Sequence, residues 1–276
     1  MNAIPPKRDN EKPTTEPQAT EPQATQPWVP VLATRLGRGR VGGSTVCDML
    51  IQRARRAGRP VMVADGDRRN PTLAGLYPPG SPGGASVPAT DELADMKDWI
   101  TEQVGQMVST KASLVLDLGG GDRVLSDYGQ DLPLATFCQA AGVSCLPLYF
   151  SGPEKDDFDH IIAIHDAGYF RGPQAILFLN ESLVRAGKTT IRAFDPIMDR
   201  PDLRKLMDGG VRTVLIPRLP CMAEMRATGL NFYDAAANKP GVSGKPMDPV
   251  RQFMVKIWLE RLEEQFIELG VAEWLP

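Results

Sequence analysis

The chain has 276 residues, 42% hydrophobic and 24% charged, enough for one large domain or two small ones around a sizeable core. Its 31 basic and 34 acidic residues leave a formal net charge of −3, which excludes a surface that is basic all over but not a local basic patch. No run approaches the roughly 18 apolar residues of a membrane span, and the start, MNAIPPKRDNEKP, lacks the apolar core of a secretory signal.

Residues 1–27 hold six prolines, no aromatic residue and a tandem EPQAT repeat at 16–25. Such a segment cannot supply a core, and disorder is expected there. From Trp28 onward, β-rich runs alternate with helical stretches. Strands are expected at 28–34, 60–64, 113–118, 143–149, 175–180 and 211–216. Helices are expected at 44–57, 91–109, 131–141, 155–167, 201–208 and 221–228. Runs such as Leu114-Val115-Leu116 are apolar on both faces, which suits a parallel strand covered by helices on either side. The pattern predicts a doubly wound α/β domain, mainly parallel, over 28–245. The stretch 77–89 (YPPGSPGGASVPA) reads as a long, mobile Pro/Gly loop. A last helix at 250–269, within a segment 246–276, is expected to pack on the domain. Its glutamates Glu260, Glu263, Glu264 and Glu268 argue against a membrane surface. Cys47, Cys138, Cys145 and Cys221 form no CxxC pair and read as buried thiols of a cytoplasmic protein. His160 and His165, five apart on one predicted helix, read as packed or solvated side chains. A zinc enzyme or a Ser-His-Asp hydrolase is therefore not expected.

The informative segment runs from Val31 to Thr45, an apolar strand followed by a glycine-rich turn and a helix. Backbone N–H groups and the helix dipole converge at such a turn, so it is a place for a phosphate. Two motifs overlap on it. Gly37-x-Gly39-x-x-Gly42 satisfies the dinucleotide fingerprint, with Asp65 and Asp67 ending the next strand. Gly37-x-x-x-x-Gly42-Gly43-Ser44 is a phosphate loop whose lysine has become Gly43.

Further blocks separate the two. Arg38-Gly39-Arg40-Val41-Gly42-Gly43-Ser44-Thr45 is followed by a strand ending Asp65-Gly66-Asp67, then by Leu114 to Asp117 with Gly119-Gly120-Gly121, Ile176 to Asn180, and Val214 to Arg218. In order and spacing these blocks resemble the ParA/MinD family of deviant Walker A ATPases over about residues 28–235. The resemblance implies ATP or ADP with Mg²⁺ as cofactor, held by Gly37, Gly39, Gly42, Gly43, Ser44 and Thr45. It further implies Ser44 and, through water, Asp117 as metal contacts. Asp67 would orient the attacking water, and Asn180, Pro217 and Arg218 would face the base. Arg38 stands where the family has the lysine that crosses to the partner subunit. It would then fork onto a group of a second copy, such as Asp122 or Glu154.

The departures matter as much as the matches. Losing the loop lysine removes a charge beside the phosphates, typically worth about 3–4 kcal/mol in the transition state. Arg38 or Arg40 is the expected substitute cation, while the Arg40 side chain, where the family has glycine, narrows the pocket. Ala186-Gly187-Lys188-Thr189-Thr190 imitates the end of a phosphate loop, but position 182 is serine and no strand directly precedes it. Arg185, Lys188, Arg192, Arg204 and Lys205, with aspartates interleaved, read as a mixed surface that DNA contacts at most nonspecifically. The reading is thus a degenerate, homodimeric ParA/MinD-like protein with weak or absent hydrolysis. It would serve a protein partner in plasmid partition, conjugal transfer or intracellular positioning. The alternatives are a pseudo-ATPase scaffold, and an NAD(P)-dependent oxidoreductase built on Gly37, Gly39 and Gly42.

Overall fold

The structure, a computed structural model, describes residues 28–120, 122–185, 187 and 189–276. The tail expected to be disordered, and Lys188 of the imitation loop, lie outside these residues. Seven strands form a single sheet: β1 (Val31–Leu36), β2 (Val61–Asp65), β3 (Ala85–Ser86), β4 (Ser113–Asp117), β5 (Ser144–Ser151), β6 (Ala175–Asn180) and β7 (Val211–Ile216). Their order is β3-β2-β4-β1-β5-β6-β7, and every neighbouring pair is parallel. The fold is therefore doubly wound α/β, as the alternation of elements predicts.

Alternating side chains send each strand into two separate cores. Val31, Ala33, Val115, Leu148, Phe150 and Phe178 face one side with α1 (Gly43–Arg56) and α2 (Thr72–Leu76). The same layer holds three helices from the end of the chain, α10 (Met222–Ala227), α11 (Phe232–Ala236) and α12 (Pro249–Glu268). Leu32, Leu36, Leu114, Leu116, Tyr149 and Leu177 face the other side. There they meet α3 (Leu93–Thr110), α4 (Asp122–Asp131), α5 (Leu134–Ala140), α6 (Lys155–Ala167), α8 (Asp195–Met198) and α9 (Pro201–Asp208). A single turn, α7 (Thr190–Ala193), leads into α8. No described helix is long and apolar enough to cross a membrane.

Several elements go beyond the sequence expectation. The stretch 77–89 carries β3, which extends the sheet edge next to β2. Arg55 donates to Gly83 O and Arg68 to Pro88 O, so carbonyls bared by the Pro/Gly composition are held by guanidinium groups from other elements. The helix expected at 131–141 is divided: α4 precedes it, and α5 starts only after Pro133. At the far end, Asp248 caps α12 by accepting from Val250 N and Arg251 N at 3.1 and 3.0 Å. From α12, Trp258 stacks on Phe232 of α11 at 4.9 Å, and Phe266 meets Phe178 of β6 edge-on at 6.5 Å. Phe266 is wholly buried. Phe266→Ala is expected to lower unfolding free energy by about 3–5 kcal/mol in a denaturant titration. A loss of a few tenths would mean that α12 only rests on the sheet.

Candidate functional site

The cleft lies at the carboxyl ends of β1, β2 and β4, where open parallel sheets commonly bind ligands. It encloses about 720 Å³ between the β1–α1 loop on one side and the segments after β2 and β4 on the other. The loop leaves β1 at Gly37 with φ +127°, where an added Cβ would stand 2.7 Å from Phe150 O. Only glycine fits there. Arg40 lies beyond it with φ 67°, left-handed backbone that a side chain adopts at a cost of about 1–3 kcal/mol. The start of α1 has no side-chain cap and no acidic residue in its first turn, so its N–H groups and positive pole open towards the cleft.

Two aspartates and a serine anchor the floor. Ser44 Oγ donates to Asp117 Oδ2 at 2.6 Å, and Asp117 Oδ1 accepts from Gly119 N at 2.9 Å. Asp65, at the end of β2, accepts from Asp67 N at 3.1 Å through one oxygen and from Ala74 N at 2.8 Å through the other. Burial, with a further push from the charge of Asp117, raises its carboxyl to about 6. Asp67 is half-buried, accepts from Asn70 N at 3.0 Å, and crowds Gly119 so closely that a Cβ there would meet its carboxylate.

Arg35 is the residue the sequence reading missed. It sits on β1 in register with Asp117 of β4, so both side chains project to the α1 side of the sheet. Its side chain is 3% exposed, with Nε 3.8 Å from Asp117 Oδ1. Nη2 donates to Arg38 O at 2.5 Å, while Nε and Nη1 have no hydrogen-bond partner among the described residues. Its stem fills the space beside Gly43: a Cβ on Gly43 would meet Arg35 Nε and stand 2.8 Å from Cγ and 3.1 Å from Cδ. The glycine in place of the lysine is thus enforced by an arginine eight residues earlier. A cation in a strand without another charge was the available signal.

The other predicted residues divide into two groups. Gly39, Gly42, Gly43, Ser44, Thr45 and Asp67 line the cleft together, with Asp117 directly beneath Ser44. Arg40 lines it too, at the exposed rim. Gly37, Arg38, Asn180, Pro217 and Arg218 do not. Asn180 is buried and its amide bonds within the chain at both ends: Nδ2 donates to Val41 O at 2.9 Å, and Oδ1 accepts from Ser182 N at 3.0 Å. It ties the loop to β6. Pro217 is buried, with its carbonyl accepting from Trp258 Nε1 at 2.7 Å, and Arg218 is exposed. Arg38, half exposed, pairs at 3.5 Å with Asp157 of its own chain, and Glu154 pairs with Arg185 at 3.4 Å. Arg38 is turned towards Asp157 and Arg40 stands at the rim, while the guanidinium beside Gly43 is that of Arg35 on β1.

No protein-family model matches the chain, and no curated protein matches it. Among solved structures it is similar to chloroplast FtsY from Physcomitrella patens, at 15% identity and a TM-score of 0.39. That match covers 60% of this chain and 52% of the other, so the chain spans about half the length of that relative. It is also similar to the nucleotide-binding protein in complex with ADP from Archaeoglobus fulgidus, at 14% identity and a TM-score of 0.38 over 84% of this chain and 88% of that one. At these identities the likeness concerns the course of the chain, not the chemistry of the cleft.

Two measurements check this geometry. The Asp65 ¹³Cγ resonance should titrate with a midpoint near 6, against about 4 for an unfolded chain. Because the folded state holds that proton more tightly, the stability Asp65 contributes is full below about pH 4 and is lost as the pH rises through 6. A midpoint at the ordinary carboxylate value would mean that its burial is relieved in solution. Gly43→Ala should cost about 1–3 kcal/mol in urea unfolding, because the methyl displaces Arg35. Wild-type stability in this variant would show the Arg35 stem to be readily displaced.

Proposed function

We propose that the chain is a degenerate ParA/MinD-like protein that binds ATP or ADP with Mg²⁺, dimerises in response, and hydrolyses ATP weakly or not at all. The observation that carries this reading is the Ser44–Asp117 hydrogen bond at the foot of a cleft lined by the loop and by Asp67. A hydroxyl on the first turn of the helix and a carboxylate on the adjacent strand are the donor set for a phosphate-bound Mg²⁺. The unpartnered N–H groups of buried Arg35 fit an anionic ligand beside them. Backbone N–H groups of the loop and of α1 would hold phosphate, and Asp67, across the cleft, would orient a water. Slow turnover is expected because the cation beside Gly43 is packed in the protein interior, whereas a lysine on α1 would extend towards the reacting phosphate. In plasmid partition, conjugal transfer or positioning, such a protein would hand a nucleotide-dependent dimer to a protein partner, with Arg38 at the rim of the second copy.

A pseudo-ATPase scaffold is the second reading, favoured by the same occupancy beside Gly43. The oxidoreductase reading loses support from Asp65, which is buried with both oxygens turned to backbone N–H groups of its own turn.

Thermal melting with ATP·Mg²⁺, ADP or NAD(P) separates these readings, since a bound ligand raises apparent stability by mass action. ATP·Mg²⁺ and ADP should raise the Tm and NAD(P) should not. Steady-state phosphate release should lie roughly two to three decades below active ATPases of this fold. Sedimentation with and without ATP·Mg²⁺ should show a dimer that Arg38→Ala weakens. A Tm moved only by NAD(P) would reject the proposal, and a brisk hydrolysis abolished by Asp67→Ala would reject weak turnover.

A further inference from the structure

We propose that Arg35 is the phosphate anchor of the cleft, reaching the loop from β1 where other phosphate loops send a lysine from the helix. The inference rests on the nucleotide reading above and assigns it a residue outside the motif.

Three observations converge on Arg35. Its side chain occupies the volume that a side chain on Gly43 would need, so arginine at 35 and any larger residue at 43 exclude one another. It is 3% exposed yet retains two donor nitrogens, Nε and Nη1, without a hydrogen-bond partner among the described residues. Buried donors are rarely left unmet, and an unmet pair on a cation calls for an anion. Among the described residues the carboxylate paired with it is that of Asp117, which stands 3.8 Å from Nε and is already engaged by Ser44 and Gly119 N. The same side chain lines the cleft at the open start of α1. The loop N–H groups and the guanidinium therefore border one space. A guanidinium presents several N–H groups in a fixed plane and can fork onto two phosphate oxygens. The ligand class is the diphosphate or triphosphate group of a nucleotide.

Calorimetric titration of the full chain with ATP and, separately, inorganic pyrophosphate tests this, with ligand-free melting as the folding control. Wild type should bind both probes. Arg35→Ala should weaken both by roughly 10- to 100-fold, the range for losing charged hydrogen bonds. Arg35→Ala combined with Gly43→Lys should recover most of the loss, because the vacated space then admits a lysine stem. A purely structural Arg35 would give no such recovery of pyrophosphate affinity. If Arg35→Ala alone does not fold, the double variant carries the test: retained binding supports the assignment and lost binding overturns it. A folded Arg35→Ala that binds as wild type does overturns the anchor and leaves nucleotide binding intact. A folded Arg35→Ala that binds more tightly overturns it as well, and identifies the guanidinium as a plug. A wild type that binds neither probe overturns both this assignment and the nucleotide reading.

Discussion

One volume of space, just inside the start of α1, is contested by two residues. The stem of Arg35 fills it, and Gly43 accommodates the stem by having no side chain. The charge of that arginine is matched in register by Asp117 on the neighbouring strand. An unmatched charge at such depth typically costs about 3–5 kcal/mol, so the two positions are tied together by more than contact. Asp117 in turn orients Ser44, and Gly119 N closes the remaining side of its carboxylate. The floor of the cleft is thus a short chain of dependent groups running from Arg35 through Asp117 to Ser44.

The walls follow from that floor. Gly37 turns the chain away from Phe150, Val41 is tied down through Asn180, and the helix begins uncapped. Across the cleft, Asp65 serves as the organiser of its own turn, collecting the N–H groups of Asp67 and Ala74. Asp67 is thereby placed with its carboxylate against Gly119, where the absence of a side chain lets the segments after β2 and β4 approach.

Much of this was legible in the sequence. Strands buried on both faces announce themselves by apolar runs, and six of the seven strands stand within about two or three residues of where such runs place them. The loop, Ser44, Asp67 and Asp117 were also legible, because their chemistry is carried by residue type at a strand end. Three kinds of feature were not. The two-residue strand β3 has no period to detect, and it exists because Arg55 and Arg68 hold the flanking carbonyls. Asn180 sits at the strand end where the sequence places it, but its amide turns inward, a choice made by Val41 O and Ser182 N. Arg35 was hidden by its own strand. A lone charge in an apolar run looks like a rim residue until the register with Asp117 shows that it is not.

The strand order also sets when the loop can exist. Val31 of β1 pairs with Ser144 of β5, 113 positions later (144 − 31), and Leu32 with Leu114 of β4, 82 positions later (114 − 32). During synthesis β1 is the first of these strands to emerge, yet both of its neighbours come from the middle of the chain. Such distant pairings are slow to close, because loop entropy is lost before any contact repays it. Arg35 therefore waits through 82 residues of translation (117 − 35) for its carboxylate. Until then β1 carries a cation without its carboxylate. The β1–α1 loop, which opens the domain in sequence, gains its neighbours only when β4 and β5 have emerged, and a nascent chain halted before Asp117 lacks the floor of the cleft.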